Sequence, residues 1–192
     1  MKKIMIDMDD VICGKGFLRL VNSFLNTDYK EEEIKQYYIQ DLIPQERKQE
    51  YKKYFCDKNI YEYAELLPGV CEVMRKLQEK YELYITTAYI FRDYPESSSN
   101  HLKNKFEYLC KELPFVKPEN YIFTTNKEII NCEIKIDDKL SNLEGNAEIK
   151  LLFSAYHNRE ITDEELKEKG VIRVDSWYDI EKILLKNEEQ AS

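Results

Sequence analysis

Two short apolar runs, more than a hundred residues apart, each end abruptly in carboxylates. Ile4-Met5-Ile6 leads into Asp7-Met8-Asp9-Asp10, and Ile134-Lys135-Ile136 leads into Asp137-Asp138. A buried strand that terminates in acids is costly unless a cation meets them. In an open parallel sheet, strand ends lie side by side and ligands bind in the crevice beyond their carboxyl ends. The pattern therefore predicts a sheet in which the two acid-tipped runs share an edge and their acids converge on one metal-dependent site.

Strand-like runs recur at residues 4–7, 83–87, 121–124, 134–137, 149–153 and 171–174, with helical stretches between them. Such alternation implies an α/β fold, a Rossmann-like three-layer sandwich with a mainly parallel sheet. Residues 68–81 read as a helix that starts on Pro68 and carries Val70, Val73, Met74, Leu77 and Tyr81 on one stripe. A last helix starts near Ser176, which stands at capping-box spacing from Asp179, and turns Trp177, Ile180, Ile183 and Leu184 inward. Residues 96–100, Glu-Ser-Ser-Ser-Asn, read as a mobile loop before a helix over 101–111.

More than fifty residues separate the first strand from the helix at Pro68, far more than a strand-to-helix turn requires. Residues 14–67 are therefore expected to form a small helical cap inserted after the first strand, with 1–13 and 68–192 making the core. Phe17, Leu20, Val21, Phe24 and Leu25 fit one amphipathic helix, and residues 34–38 and 47–55 fit parts of two more. The segment holds ten aromatics, among them Tyr37, Tyr38, Tyr51, Tyr54, Phe55, Tyr61 and Tyr63. Rings at helical spacing usually pack on one another, which leaves one or two to face the sheet and stack on a planar ligand group.

At 192 residues the chain has room for one hydrophobic core with an insertion. A net charge of −8 argues against a nucleic acid polymer as partner. Absence of a long apolar run argues against a membrane, and the Met-Lys-Lys start lacks the apolar region of a signal peptide, so a cytoplasmic location is expected. Five cysteines, an odd number without zinc-like spacing, read as reduced. A homodimer is compatible with all of this.

Residues two apart on a strand point the same way, so Asp7 and Asp9 can address one ligand. Magnesium prefers oxygen ligands, which suits one or two carboxylates plus a substrate phosphate, and a carboxylate beside such a metal can attack phosphorus. The run Ile85-Thr86-Thr87-Ala88 would put hydroxyls and free N–H groups where a phosphate sits, and Lys127, ten residues before Asp137, could bridge nucleophile and phosphate. Each feature alone has a commonplace explanation in turns, β propensity or surface charge. Their common order along one sheet is what gives them weight.

That order, Asp7-Met8-Asp9, Thr87, Lys127, Asp137-Asp138, resembles the four motifs of the haloacid dehalogenase (HAD) superfamily of phosphatases. Val11 after Asp-Met-Asp, the helical insertion behind it, and Asn126-Lys127 before Ile136-Asp137-Asp138 are similar to the 5'(3')-deoxyribonucleotidase group. The resemblance implies a phosphomonoesterase that hydrolyses (deoxy)nucleoside monophosphates through an aspartyl phosphate. It implies Asp7 as nucleophile and Asp9 as general acid/base, with Thr87, the Ala88 N–H and Lys127 on the phosphoryl oxygens and Thr86 as the alternative to Thr87. Mg²⁺ would take a side-chain oxygen of Asp7, the backbone carbonyl of Asp9 and the side chain of Asp138, with Asp137 behind it, though the last two could exchange roles. Where animal members have glycine, this chain has Asp10, expected to tune the metal or cap the next helix.

Two other readings stand beside this one. One is a phosphatase for a different small phosphorylated metabolite, a choice the cap would decide. The other is a receiver-like phospho-aspartate signalling module, against which the order of motifs argues, since a receiver carries its acid pair on the first strand. His101 and His157, isolated in the sequence, are expected to have surface or hydrogen-bonded structural roles.

Overall fold

The structure, a computed structural model, describes residues 1–34, 38–91 and 95–186. Its elements in chain order are β1 (Lys2–Asp7), β2 (Cys13–Gly14), α1 (Gly16–Leu25), α2 (Lys48–Cys56), β3 (Glu65–Leu66), α3 (Val70–Gln78) and β4 (Tyr81–Thr87). They continue with α4 (Ser98–Glu112), β5 (Tyr121–Phe123), β6 (Ile134–Asp137), β7 (Ile149–Phe153), α5 (Asp163–Glu168), β8 (Ile172–Val174) and α6 (Trp177–Glu181).

Ile4, Met5 and Ile6 are buried on both faces of β1, the mark of a central parallel strand covered by helices. Six strands pair in parallel in the order β5-β4-β1-β6-β7-β8. The chain runs outward from β1 through β4 to β5, then returns to the other side of β1 as β6. Such a reversal opens a crevice beyond the strand ends, and here it lies between the two acid-tipped runs. Ile6 pairs with Ile136, so Asp7 and Asp137 leave the sheet together, while Asp7 also pairs with Thr86.

The helix expected over 68–81 ends sooner, at Gln78, because Tyr81 is already paired with Lys2 as the first residue of β4. Pro68 lies outside it, and Gly69 at its start holds φ +85 with the Tyr178 ring 3.1 Å from where a Cβ would stand, so only glycine fits. Residues 96–100 are not a loop. They form a short 3-10 turn and the first turn of α4, where Ser98 Oγ accepts from the Phe91 N–H at 3.3 Å. The last helix is capped as expected, Ser176 Oγ accepting from the Asp179 N–H at 3.2 Å, and its Trp177 donates from Nε1 to the Val11 carbonyl at 2.8 Å. That bond ties the C-terminal helix to the turn carrying the first acids.

Within residues 14–67, α1 buries Leu18, Leu20 and Val21, and α2 buries Tyr51 and Phe55. The rings of Phe24, Tyr51, Tyr54 and Phe55 pack on one another with centroids 5.1 to 6.4 Å apart. Each fully buried side chain of this size contributes roughly 1.5–3 kcal/mol. These residues join one continuous apolar cluster with Ile4, Ile6 and Ile85 of the sheet. Of the third helical piece expected near 34–38, Ile34 and Tyr38 are extended, while Tyr37 lies outside the described residues. The two ends of the segment meet as a two-stranded antiparallel ribbon, Cys13 opposite Leu66 and Gly14 opposite Glu65. Just beyond it, Gly16 lets α1 approach so closely that a Cβ there would lie 2.9 Å from the Ile60 carbonyl.

Candidate active site

Asp7 closes β1 with its side chain buried, and its Oδ1 accepts from the Met8 N–H at 2.7 Å. Lys127, on the turn after β5, brings Nζ to 2.5 Å from Asp7 Oδ1 and 2.8 Å from Asp137 Oδ2. The other oxygen of Asp137 accepts from the Lys139 N–H and the Asn142 side-chain amide, both at 2.9 Å. With both oxygens committed, Asp137 is a fixed anchor for Lys127. Asp138, next along, instead brings its carboxylate within 4.8 Å of that of Asp7 and meets His157 Nε2 at 2.6 Å. Asn158 holds the Asp138 carbonyl in place from its Nδ2 at 2.8 Å.

Three carboxylates, those of Asp7, Asp137 and Asp138, lie within 4.8 Å of one another against the single ammonium of Lys127. Burial, followed by mutual repulsion, pushes the Asp138 carboxyl well above the ordinary value. Burial also raises Asp7, although Lys127 opposes it. For Lys127, burial alone would favour the neutral amine, yet Asp7 and Asp137 hold it above the usual lysine value. An oxygen-rich, buried, over-acidic cluster of this kind is chemically suited to a divalent cation.

Asp9 points away from this cluster. Its Oδ2 accepts from Lys105 Nζ of α4 at 2.6 Å and its Oδ1 from the Tyr61 hydroxyl at 3.0 Å. Burial would raise the Asp9 carboxyl, but Lys105, His101 and Tyr61 together hold it below the usual range. Lys105 also donates to Thr87 Oγ1, so that hydroxyl faces Lys105 behind the cleft wall, whereas Ala88 lines the cleft. Thr86 is buried too, its hydroxyl 3.4 Å from the Ile6 carbonyl.

Asp10 does not cap α1, where Lys15 stands at the cap position without a side-chain bond. It adopts φ +59, and its carboxylate gathers with those of Asp138 and the His157 imidazole within 4.8 Å. Burial and its acidic neighbours push Asp10 up to about 8, and burial lowers His157 to about 4. His157, isolated in sequence, therefore belongs to this site. Lys105 is missed by sequence reasoning, which reads one lysine in an amphipathic helix as surface; here it is 1% exposed. Asp7, Asp9, Asp10, Lys105, Lys127, Asp138 and His157 border a cleft of about 440 Å³, which Phe17, Tyr38, Ile39 and Phe91 also line.

A family model described as "5' nucleotidase, deoxy (Pyrimidine), cytosolic type C protein" matches residues 1–190. The chain belongs to this nucleotidase family. A 5'(3')-deoxyribonucleotidase of Bacillus subtilis (strain 168) is 32% identical over 197 residues, spanning 96% of this chain and 100% of its own. A Staphylococcus aureus (strain Mu50) protein provisionally named for the same activity is 30% identical over 191 residues, 98% of each chain. Among solved structures, YfnB of Bacillus subtilis, provisionally assigned as a HAD hydrolase and bound to magnesium, shares the fold at a TM-score of 0.53 and 13% identity. The match covers 96% of this chain and 98% of that one. Nucleotidases of this family are phosphomonoesterases, and the present chain is a hydrolase of that class with a HAD-type Rossmann fold.

Proposed function

We propose that the protein hydrolyses (deoxy)nucleoside monophosphates to nucleoside and phosphate, as a magnesium-dependent 5'(3')-deoxyribonucleotidase working through an aspartyl phosphate. The observation that carries this reading is the placement of Asp7 at the switch point of the sheet, paired to Lys127, with Asp9 beside it on the same cleft. The substrate class rests on the Bacillus relative's name and on the cleft's aromatic wall.

The carboxylates of Asp7 and Asp138 with the backbone carbonyl of Asp9 would hold magnesium, which when bound offsets the charge of the phosphoryl oxygens. Asp137, saturated by Lys127, Asn142 and the Lys139 N–H, stays behind them as support. Lys127 and the Ala88 N–H face the phosphoryl group. Thr87 acts through Lys105, which it helps to fix.

In the first step an Asp7 oxygen bonds to phosphorus as the bond from phosphorus to the nucleoside oxygen breaks, and that oxygen takes a proton from Asp9. In the second, Asp9 takes a proton from water, whose oxygen bonds to phosphorus as the bond to Asp7 breaks, returning the free carboxylate and phosphate. An arriving phosphate dianion raises the proton affinity of Asp9, the direction the acid role requires. Residues 14–67 act as the cap, with Phe17 and Tyr38 facing the nucleobase side of the cleft. The five free cysteines fit a reducing, cytoplasmic setting.

The test is phosphate release from a panel of nucleoside monophosphates with magnesium, for wild type and Asp7→Asn. Asp7→Asn should lower turnover by roughly 10⁴-fold or more while the protein stays folded. Acid-stable labelled protein after rapid quenching should disappear with it. Substantial turnover by Asp7→Asn, or uniformly weak rates across the panel, would overturn the reading.

A further inference from the structure

We propose that Tyr61, carried by the inserted segment, is a positioning residue for the general acid/base, clamping Asp9 together with Lys105 so that its carboxyl faces the leaving oxygen. This rests on the nucleotidase reading above and extends it, because it gives the segment expected to choose the substrate a part in the chemistry.

The clamp joins three separate elements. Asp9 follows β1, Lys105 is on α4, and Tyr61 sits in a 3-10 turn over Ile60–Glu62, fixed where its own N–H donates to Asn59 Oδ1 at 3.0 Å. Tyr61 is 5% exposed, so its hydroxyl needs a partner inside the protein. The partner is Asp9 Oδ1 at 3.0 Å, while Lys105 takes Oδ2 at 2.6 Å. The Tyr61 ring is held in turn, stacked on His101 at 5.5 Å and 30° and set 5.3 Å from Tyr108, with Lys105 Nζ 5.9 Å from its centroid. Held at both oxygens, the Asp9 side chain still keeps 30% of its surface open to the cleft. A carboxyl restrained in this way gives up little freedom when it meets the bridging oxygen of a bound ester.

A merely structural tyrosine and a positioning one differ in how their loss depends on the leaving group. A nucleoside departs as a strongly basic alkoxide and needs the Asp9 proton as the phosphorus–oxygen bond breaks. The 4-nitrophenolate ion departs unaided. Misplacing Asp9 therefore slows attack by Asp7 on a nucleoside monophosphate and spares attack on 4-nitrophenyl phosphate.

The experiment is single-turnover phosphorylation of the magnesium-loaded full chain by both esters, in wild type, Tyr61→Phe and Lys105→Gln. Tyr61→Phe keeps the stacked ring and removes only the hydroxyl. It should slow the nucleotide reaction by about thirtyfold with the half-saturating concentration little changed, and the aryl reaction by less than about threefold. With the aryl ester in excess a burst of nitrophenolate should also appear, since breakdown of the phospho-enzyme still needs Asp9 as base. Lys105→Gln should reproduce the split with a larger ratio. Equal losses with the two esters in both variants, or no loss in either, would overturn the clamp while leaving the nucleotidase reading intact. Wild-type protein that turns over neither ester would overturn both.

Discussion

At the carboxyl edge of the sheet, Asp7, Lys127, Asp137 and Asp138 are all less than a tenth exposed, and Lys127 pairs with both Asp7 and Asp137. In residues 14–67 the ion pairs lie in water. Arg19 and Glu65 are 44% and 42% exposed, Arg47 and Glu50 36% and 62%. Exposed pairs of this kind contribute about 0–1 kcal/mol, whereas removing one partner of a buried pair costs about 3–5 kcal/mol. Residues 14–67 are held instead by ring packing and apolar burial, which tolerate substitution if volume is kept. One region is thus electrically tense and unforgiving, the other sterically specified and adaptable. The proposed chemistry falls in the first and the proposed substrate contact in the second, with the Tyr61 hydroxyl crossing between them to Asp9.

The largest break in this contrast is Lys127→Met. It leaves Asp7 and Asp137 buried without their cation, and chemical denaturation should report a stability loss of about 3–5 kcal/mol alongside lost turnover. Magnesium should restore part of the stability and none of the full rate. A loss no larger than that of an exposed pair, such as Lys15→Met against Glu65, would erase the distinction between the regions.

Of intermediate size is the response to metal. A cation binding only the folded chain should stabilise it by about 2.7 kcal/mol at a hundred times its Kd, read as a rise in Tm with added magnesium. Asp138→Asn should abolish that rise. Without metal the same variant should be slightly more stable than wild type, because it removes one of the mutually repelling carboxylates. A metal-free Asp138→Asn protein less stable than wild type would mean the cluster is not over-acidic.

The smallest effect, taken over one pH unit, belongs to the aromatic side. Burial lowers His101 to about 3 from an ordinary 6.5, so the unfolded chain binds the extra proton between those values. Stability from a neutral His101 is therefore complete above pH 6.5 and falls as the pH drops toward 3, by at most about 1.4 kcal/mol per unit. His101→Gln should flatten that part of the profile measured by denaturation at several pH values. An unchanged slope would place the acid sensitivity elsewhere.

The sheet edge was readable because strand order and register follow from apolar runs that end in acids. Once Ile6 and Ile136 pair, Asp7 and Asp137 have nowhere else to go. The Asp9 partners were not readable, since Tyr61 and Lys105 lie 52 and 96 residues away and owe their meeting to the packing of the insertion on α4. Of the two roles the sequence allows Asp10, the helix cap is excluded by a left-handed backbone that local sequence does not announce and that turns the side chain toward Asp138 and His157. Tyr81 was placed one element early, its helical spacing from Leu77 being outweighed by strand pairing with Lys2.

The ribbon of β2 and β3 sets Gly14 beside Glu65. The two ends of the stretch between Gly14 and Glu65 are therefore neighbours whatever lies between them. Closing a longer or shorter excursion changes the entropy by only about 0.6 kcal/mol for each doubling of length. The geometry works as a socket: the excursion returns to the place it left, and from within it the Tyr61 phenol reaches across to Asp9.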